Sequence, residues 1–112
     1  MRRLYYSSGS FYTGDVVSKA VLRYARVLAD TGKADIIAIP VVTDAGISGH
    51  AHVLVGPASQ LFSIPVASED EDPYDADIVD DLLQKTRALL PSRPTTPRTP
   101  QDALDLGDFD EA

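Results

Sequence analysis

Residues 35–66 read DIIAIPVVTDAGISGHAHVLVGPASQLFSIPV, and their pattern points to a β-rich core. Three runs dense in Ile, Val and Leu are separated by turn-forming residues, the pattern of short strands. Asp35–Val42 is the first. Pro40 removes a ladder donor within it and marks an edge or a bulge. Ala51–Val55 and Leu61–Val66 are the second and third, and they flank Gly56-Pro57-Ala58-Ser59-Gln60, which reads as the turn of a hairpin. Paired across that turn, Ala51, Val53 and Val55 share a face with Phe62, Ile64 and Val66. Alternation fixes each set together, so this face is the expected core, with His52, Leu54, Leu61 and Ser63 on the other side.

Toward the N-terminus, Leu4–Ser7 is a short aromatic strand and Ser8–Gly14 reads as a loop. A helix follows from about Asp15. Thr13 is placed to cap it, and Asp15 suits the positively polarised first turn. Val17, Ala20, Val21, Tyr24 and Leu28 recur at helical spacing and define its buried stripe. Lys19, Arg23, Arg26 and Asp30 fall on the opposite face, and Gly32 ends the helix as a residue tolerant of positive φ.

Toward the C-terminus, Asp72 has the chemistry of an N-cap and Pro73 that of a first helical residue. Asp75 and Asp77 lie near the start of this second helix and Lys85 and Arg87 near its end, opposing the helix dipole at both termini. Val79, Leu82, Leu83, Thr86, Leu89 and Leu90 form its apolar stripe, and Pro91 stops it. The order β-α-β-β-β-α predicts an α+β fold, a small and mainly antiparallel sheet with both helices on one face, spanning residues 1–91 as one domain.

The chain then changes character. Residues 91–100, PSRPTTPRTP, hold four of the eight prolines at a spacing of three. Proline lacks an amide donor and disfavours helix in the residue before it, so an extended, solvated linker is expected. Residues 101–112 alternate acids with Leu104, Leu106 and Phe109, too few apolar groups to offset ordering entropy, and 92–112 is expected to be disordered. Charge divides in the same way. Of the net −7, residues 1–66 contribute +2 and residues 67–112 contribute −9.

Composition narrows the function classes. The chain has 112 residues, 44% of them apolar, with no cysteine. Disulfides, thiolate metal sites and cysteine nucleophiles are thereby excluded. No apolar run reaches the length of a membrane span, and MRRLYYSSGS lacks the apolar segment of a secretion signal, so a cytoplasmic protein without membrane contact is expected. The acidic balance disfavours direct nucleic-acid binding, which needs clustered Lys and Arg.

Motifs with chemical meaning are sparse. Ser7–Gly14 precedes a helix N-terminus, a place where amides can hold an anion. It has neither the Gly-Lys-Ser/Thr ending of a P-loop nor a Gly-x-Gly-x-x-Gly, and no cofactor is implied. Eight carboxylates fall between Glu69 and Asp81. An EF-hand count starting at Asp70 fails there, since Asp75 stands where the glycine is required. His50 and His52 are two apart and project to one side of a strand, which suits two ligands of one metal ion.

Two readings follow. The first is a non-catalytic binding or adaptor protein that meets protein partners through Leu104, Leu106 and Phe109 of its acidic peptide and through the Lys19, Arg23 and Arg26 helix face. The alternative is a metal-binding protein or metal-dependent enzyme using His50 and His52. Asp102-Ala-Leu-Asp-Leu-Gly-Asp-Phe109 resembles the partner-binding tail peptide of the bacterial tubulin-like division GTPases, which also follows a disordered linker. Gly107 stands where that family has proline. Leu104-Asp-Leu106 is similar to part of the sliding-clamp-binding peptides. Both resemblances imply a linear motif read by another protein.

Overall fold

Leu4 shows how the chain is organised: its side chain is fully buried, while Arg3 and Tyr5 on either side of it project to the other face of the same strand. The computed structural model describes residues 1–7 and 9–90. The linker and Leu104, Leu106 and Phe109 lie outside that range. The elements are β1 (Arg2–Tyr6), β2 (Gly9–Thr13), α1 (Asp15–Thr31), β3 (Asp35–Val42), β4 (Ser48–Val55), β5 (Leu61–Pro65) and α2 (Ala76–Leu89). The fold is α+β, with one five-stranded antiparallel sheet in the order β4-β3-β2-β1-β5.

Leu4, Ile37, Ile39, Val41, Val53 and Val55 project from the sheet into one core with Val17, Ala20, Val21, Tyr24 and Leu28 of α1 and Val79 and Leu82 of α2. The expected stripe of α1 is buried throughout. Gly32 ends the helix at φ 68°, and the amides of Gly32 and Lys33 satisfy the carbonyls of Ala29 and Leu28. In α2, Val79, Leu82 and Thr86 are buried and Leu83 and Leu89 pack at the margin, whereas Leu90 is the C-cap and is exposed.

Three local expectations are corrected. Ser8–Gly14 is not a loop throughout, because Gly9–Thr13 forms β2. Tyr6 faces Gly9, and Ser7 adopts a positive φ of 54°, a conformation that tight hairpins favour. Strand β5 does not pair with β4 but crosses to the far edge and pairs with β1, Leu4 against Ser63 and Tyr5 against Phe62. This reverses its faces: Leu61 packs against the core, while Phe62 and Ile64 are 57% and 41% exposed. The helix caps also differ. Gly14, without a side chain, is the N-cap of α1, and the Thr13 hydroxyl is instead buried and donates to the Pro40 carbonyl at 2.7 Å. Asp75, not Asp72, caps α2 by accepting from the amides of Asp77 and Ile78.

A hydrogen bond explains how β5 reaches the far edge. On a flat sheet Tyr6 of β1 and Leu54 of β4 would stand three strands apart at ~4.8 Å per strand and, by the registers, toward opposite ends of the strands. Yet the Tyr6 hydroxyl, on the core side, donates to the Leu54 carbonyl at 2.6 Å. The sheet therefore curls toward its helices, and the short 56–60 connection suffices to carry the chain from one edge to the other. Gly56 is pressed against Ala34 where this connection begins.

Pro40 does lie on an edge. β3 pairs with β4 from Asp35 to Val42, but it meets β2 only where Tyr12 faces Val42. Over most of its length, the β2-facing side of β3 carries no strand among the described residues.

Candidate functional site: a trough beside strand β3

The open side of β3 forms one wall of a trough whose opposite wall is residues 71–85. Its deeper part, about 270 Å³, lies between Ile36, Ile37 and Ala38 and the flank of α2, where Ile78 and Leu82 form an apolar floor beneath Asp75, Asp77, Asp81 and Lys85. Its broader part, about 470 Å³, runs on between Pro40–Val42, Ser48–His50 and the segment Glu71–Asp75. Asp75 lines both, so the two adjoin at the start of α2, the broader one extending over the paired β3 and β4.

One end of the trough is held by an ionic cluster. The Tyr24 hydroxyl donates to Asp35 Oδ2 at 2.6 Å, and Lys85 Nζ stands 3.5 Å from the same oxygen and 3.2 Å from Asp81 Oδ2. Tyr24's donated bond, then the Lys85 charge, hold the Asp35 carboxyl below the usual carboxylate range. Burial, then the adjacent Asp35 carboxylate, push the Tyr24 phenol well above its ordinary value. Lys85 is raised by its bond to Asp81. Each shift stabilises the ionisation state already present at neutral pH, which suits architecture better than proton transfer.

The pH dependence of stability follows from those directions. A carboxyl whose folded pKa is lowered contributes fully above its unfolded value, about 3.9, and loses that contribution as pH falls through the folded value. Tyr24→Phe removes the largest cause for Asp35. The stability gap between wild type and Tyr24→Phe is therefore expected to be widest near neutrality and to narrow below about pH 4. Urea titrations at several pH values would measure it, and a gap independent of pH would overturn the assignment. On the alkaline side Tyr24 acts oppositely: its raised pKa gives a contribution that is full below about pH 10 and lost as pH rises through the folded value.

The other end is anchored by Asp72. Its carboxylate accepts from the Asp15 amide at 3.2 Å and lies 2.8 Å from the Met1 ammonium, which also stands 3.6 Å from Asp15. The bond to the ammonium, then the Asp15 amide, depress the Asp72 carboxyl, and Asp72 in turn raises the amine. Asp72 thus caps α1 from a distant part of the chain.

The outer sheet face is a second surface. Tyr5 stacks on Phe62 with ring centroids 4.5 Å apart. The Arg3 guanidinium lies over the rings of Tyr5 and Tyr12, donates to Ser10 Oγ and pairs with Asp44 at 3.6 Å. Phe62, Ile64, Ile36 and Leu54 are all exposed on this face.

The residues singled out from sequence are spread over several places. Lys19 and Arg26 are exposed on α1, Arg23 is half-buried, and Arg26 approaches Asp30 at 4.0 Å. His50 and His52 are exposed on the outer face of β4, opposite Pro40 and Ala38, and His50 borders the broad part of the trough. The described residues hold no group of three or more His, Asp or Glu placed to bind a metal ion. Among them, no helix is long and apolar enough to cross a membrane. Sequence reasoning missed the trough because its walls come from strand and helix some 40 residues apart; only Pro40 hinted at the open edge.

Among the described residues the architecture is therefore that of a small curled-sheet α+β protein whose outer face is uncovered and whose strand β3 has an unpaired edge beside an acidic trough. Comparison with protein-family profiles, with curated proteins and with solved structures found no match.

Proposed function

We propose that this chain is a non-catalytic binding or adaptor protein that acts by protein–protein contact, partly through its acidic C-terminal peptide. The observation that carries this reading is the outer sheet face, where Phe62 stacks on Tyr5 and Ile64 stands opposite Arg3, both exposed beside the Arg3, Tyr5 and Tyr12 cluster, with Ile36 and Leu54 exposed farther along the sheet. Exposed apolar groups gathered with tyrosine and arginine have the composition of protein contact surfaces. The division of charge supports a second contact: apolar residues framed by acids, as Leu104, Leu106 and Phe109 are, suit a groove rimmed by Lys or Arg. Lys19, Arg23 and Arg26 add a basic helix face of opposite sign. A cytoplasmic setting belongs to the same proposal.

The test keeps the full chain. Crosslinked partners of the wild type are quantified by mass spectrometry against a Leu104→Ala, Leu106→Ala, Phe109→Ala variant. A partner set that falls at least about tenfold in the variant is the expected result, in line with the loss of two or more apolar anchors. An unchanged set would overturn the role of the tail.

A further inference from the structure

We propose that the open edge of β3 receives an extended, lysine- or arginine-rich segment of another protein, which adds to the sheet as a sixth strand within the trough. The inference rests on the reading of the chain as a binding protein but uses a surface remote in sequence from the tail, so the two fail independently.

The backbone geometry fixes which groups are available. Pro40 turns its carbonyl toward Thr13 of β2. Alternate residues of a strand direct their amides and carbonyls to the same side, so Ala38 and Ile36 direct theirs to that side as well. Among the described residues no strand lies there, since β2 pairs with β3 only at Val42. The Ile36 amide leans on the Asp35 carboxylate. The Ala38 amide and carbonyl and the Ile36 carbonyl have no protein partner among the described residues. At one end the run of free main-chain groups stops at Pro40, which has no amide and whose carbonyl is taken; at the other it stops at the Tyr24–Asp35–Lys85 cluster. An unpaired edge of this kind is a template for strand addition, with main-chain bonds giving affinity and alternate side chains giving selectivity.

The walls name the chemistry of the occupant. Beneath the edge, the half-buried Ile78, backed by the buried Leu82, offers apolar surface to a side chain of an added strand. The rim carries the carboxylates of Asp75, Asp77 and Asp81 with the ammonium of Lys85, and Glu71 adds a further carboxylate along the broader part, where Asp72 is paired with the Met1 ammonium. No ion pair occupies Asp77 among the described residues. A segment alternating aliphatic with basic residues satisfies floor, edge and rim together. A second copy of this chain would bring a like-charged rim into the same space and is disfavoured.

The probe is a labelled eight-residue peptide alternating lysine and valine, titrated into the full-length protein and read by fluorescence anisotropy. Saturable binding is expected, weakening at least fivefold as salt rises from low to high ionic strength. Ala38→Pro deletes an edge amide outside the β3–β4 ladder, as Pro40 does two residues away, and is expected to weaken binding at least tenfold. The peptide supplies an arm that does not depend on how that variant folds. N-methylation of the amides of one alternate register should abolish binding, and methylation of the other register should leave it intact. Equal effects of the two registers would overturn strand addition, as would binding of a glutamate–valine peptide as tightly. Peptide binding that appears only when Arg93 and Arg98 are both changed to Glu would identify the chain's own linker as the occupant and overturn the proposal. Concentration-dependent dimers whose Ala38 amide is protected from exchange would overturn it in favour of self-association.

Discussion

Leu4→Ala is expected to lower the unfolding free energy by about 3 kcal/mol, within the range found for deleting a large aliphatic side chain from a packed interior. Leu4 has no exposed surface, and it lies on β1, the strand flanked by β2 on one side and β5 on the other. The side chain stands opposite Phe11 and Ser63 and reaches the core shared with Val21 of α1 and Val53 of β4. Removing three carbons there forfeits both the transfer energy and the contacts of the surrounding groups, which belong to both the sheet and α1 and cannot all close in. For a folded unit of this size the melting temperature should fall by about 15 °C. Leu54→Ala makes the same chemical change on the outer face, where the side chain is 52% exposed. Its expected cost is under about 1 kcal/mol. Parallel denaturation of the two variants measures the difference, and equal losses would contradict the assignment of inner and outer faces.

That assignment was only half legible in the sequence. Where one local period governs, the reading succeeds: α1 buries the five residues expected of it, Gly32 stops it in the left-handed conformation, and β3 runs from Asp35 to Val42. Where two local solutions are equally good, distant contacts choose between them. Asp72 and Asp75 have the same capping chemistry, but Asp72 is drawn to the Asp15 amide and the Met1 ammonium, leaving Asp75 to cap α2. Gly9–Thr13 looks like turn material because its serine and glycine outweigh two aromatics; only the pairing of Leu4 with Phe11 and Arg3 with Tyr12 makes it a strand.

β5 is the most instructive case. Leu61–Pro65 alternates, so parity separates Leu61 and Ser63 from Phe62 and Ile64, but composition favours burying the wrong pair. The curl that brings the Tyr6 hydroxyl to the Leu54 carbonyl lets β5 pair with β1, and the register of that ladder turns Phe62 outward onto Tyr5. Curvature is a property of the whole sheet, and no five-residue window carries it. The same limit applies to the trough. The histidines and carboxylates that attract attention as residue types do not assemble into a metal cluster among the described residues, whereas an ordinary Ala38 becomes interesting because β2 ends before reaching it.

Gly14→Ala is expected to destabilise by about 2 kcal/mol, and the cause is space. Gly14 has φ −76° and ψ 160°, an extended conformation open to any residue. A Cβ there would stand 2.5 Å from the Pro73 carbonyl oxygen and 3.0 Å from Asp72 Cβ. Both obstacles belong to main chain or to its first side-chain atom, so no rotamer change relieves them. The segment cannot withdraw without lengthening the Asp72 bonds to the Asp15 amide and the Met1 ammonium, which cap α1 in place of a side chain at its N-cap. The gain from restricting the unfolded chain, roughly 0.4–1 kcal/mol for such a change, falls short of this cost. Gly49→Ala provides the opposite case: nothing lies within 4 Å of its added Cβ, and it sits inside β4 where glycine is costly. Its expected effect is neutral to slightly stabilising, so a thermal comparison should separate the two variants by about 10 °C in melting temperature. Because Gly14 fixes where Asp72 and Pro73 stand, its substitution should also shift the Glu71–Asp75 wall of the trough, and amide chemical shifts of Tyr74 and Asp75 should move more than those of α1 beyond Leu22. Shifts confined to α1 would mean that the helix yields and the acidic wall is the firmer of the two.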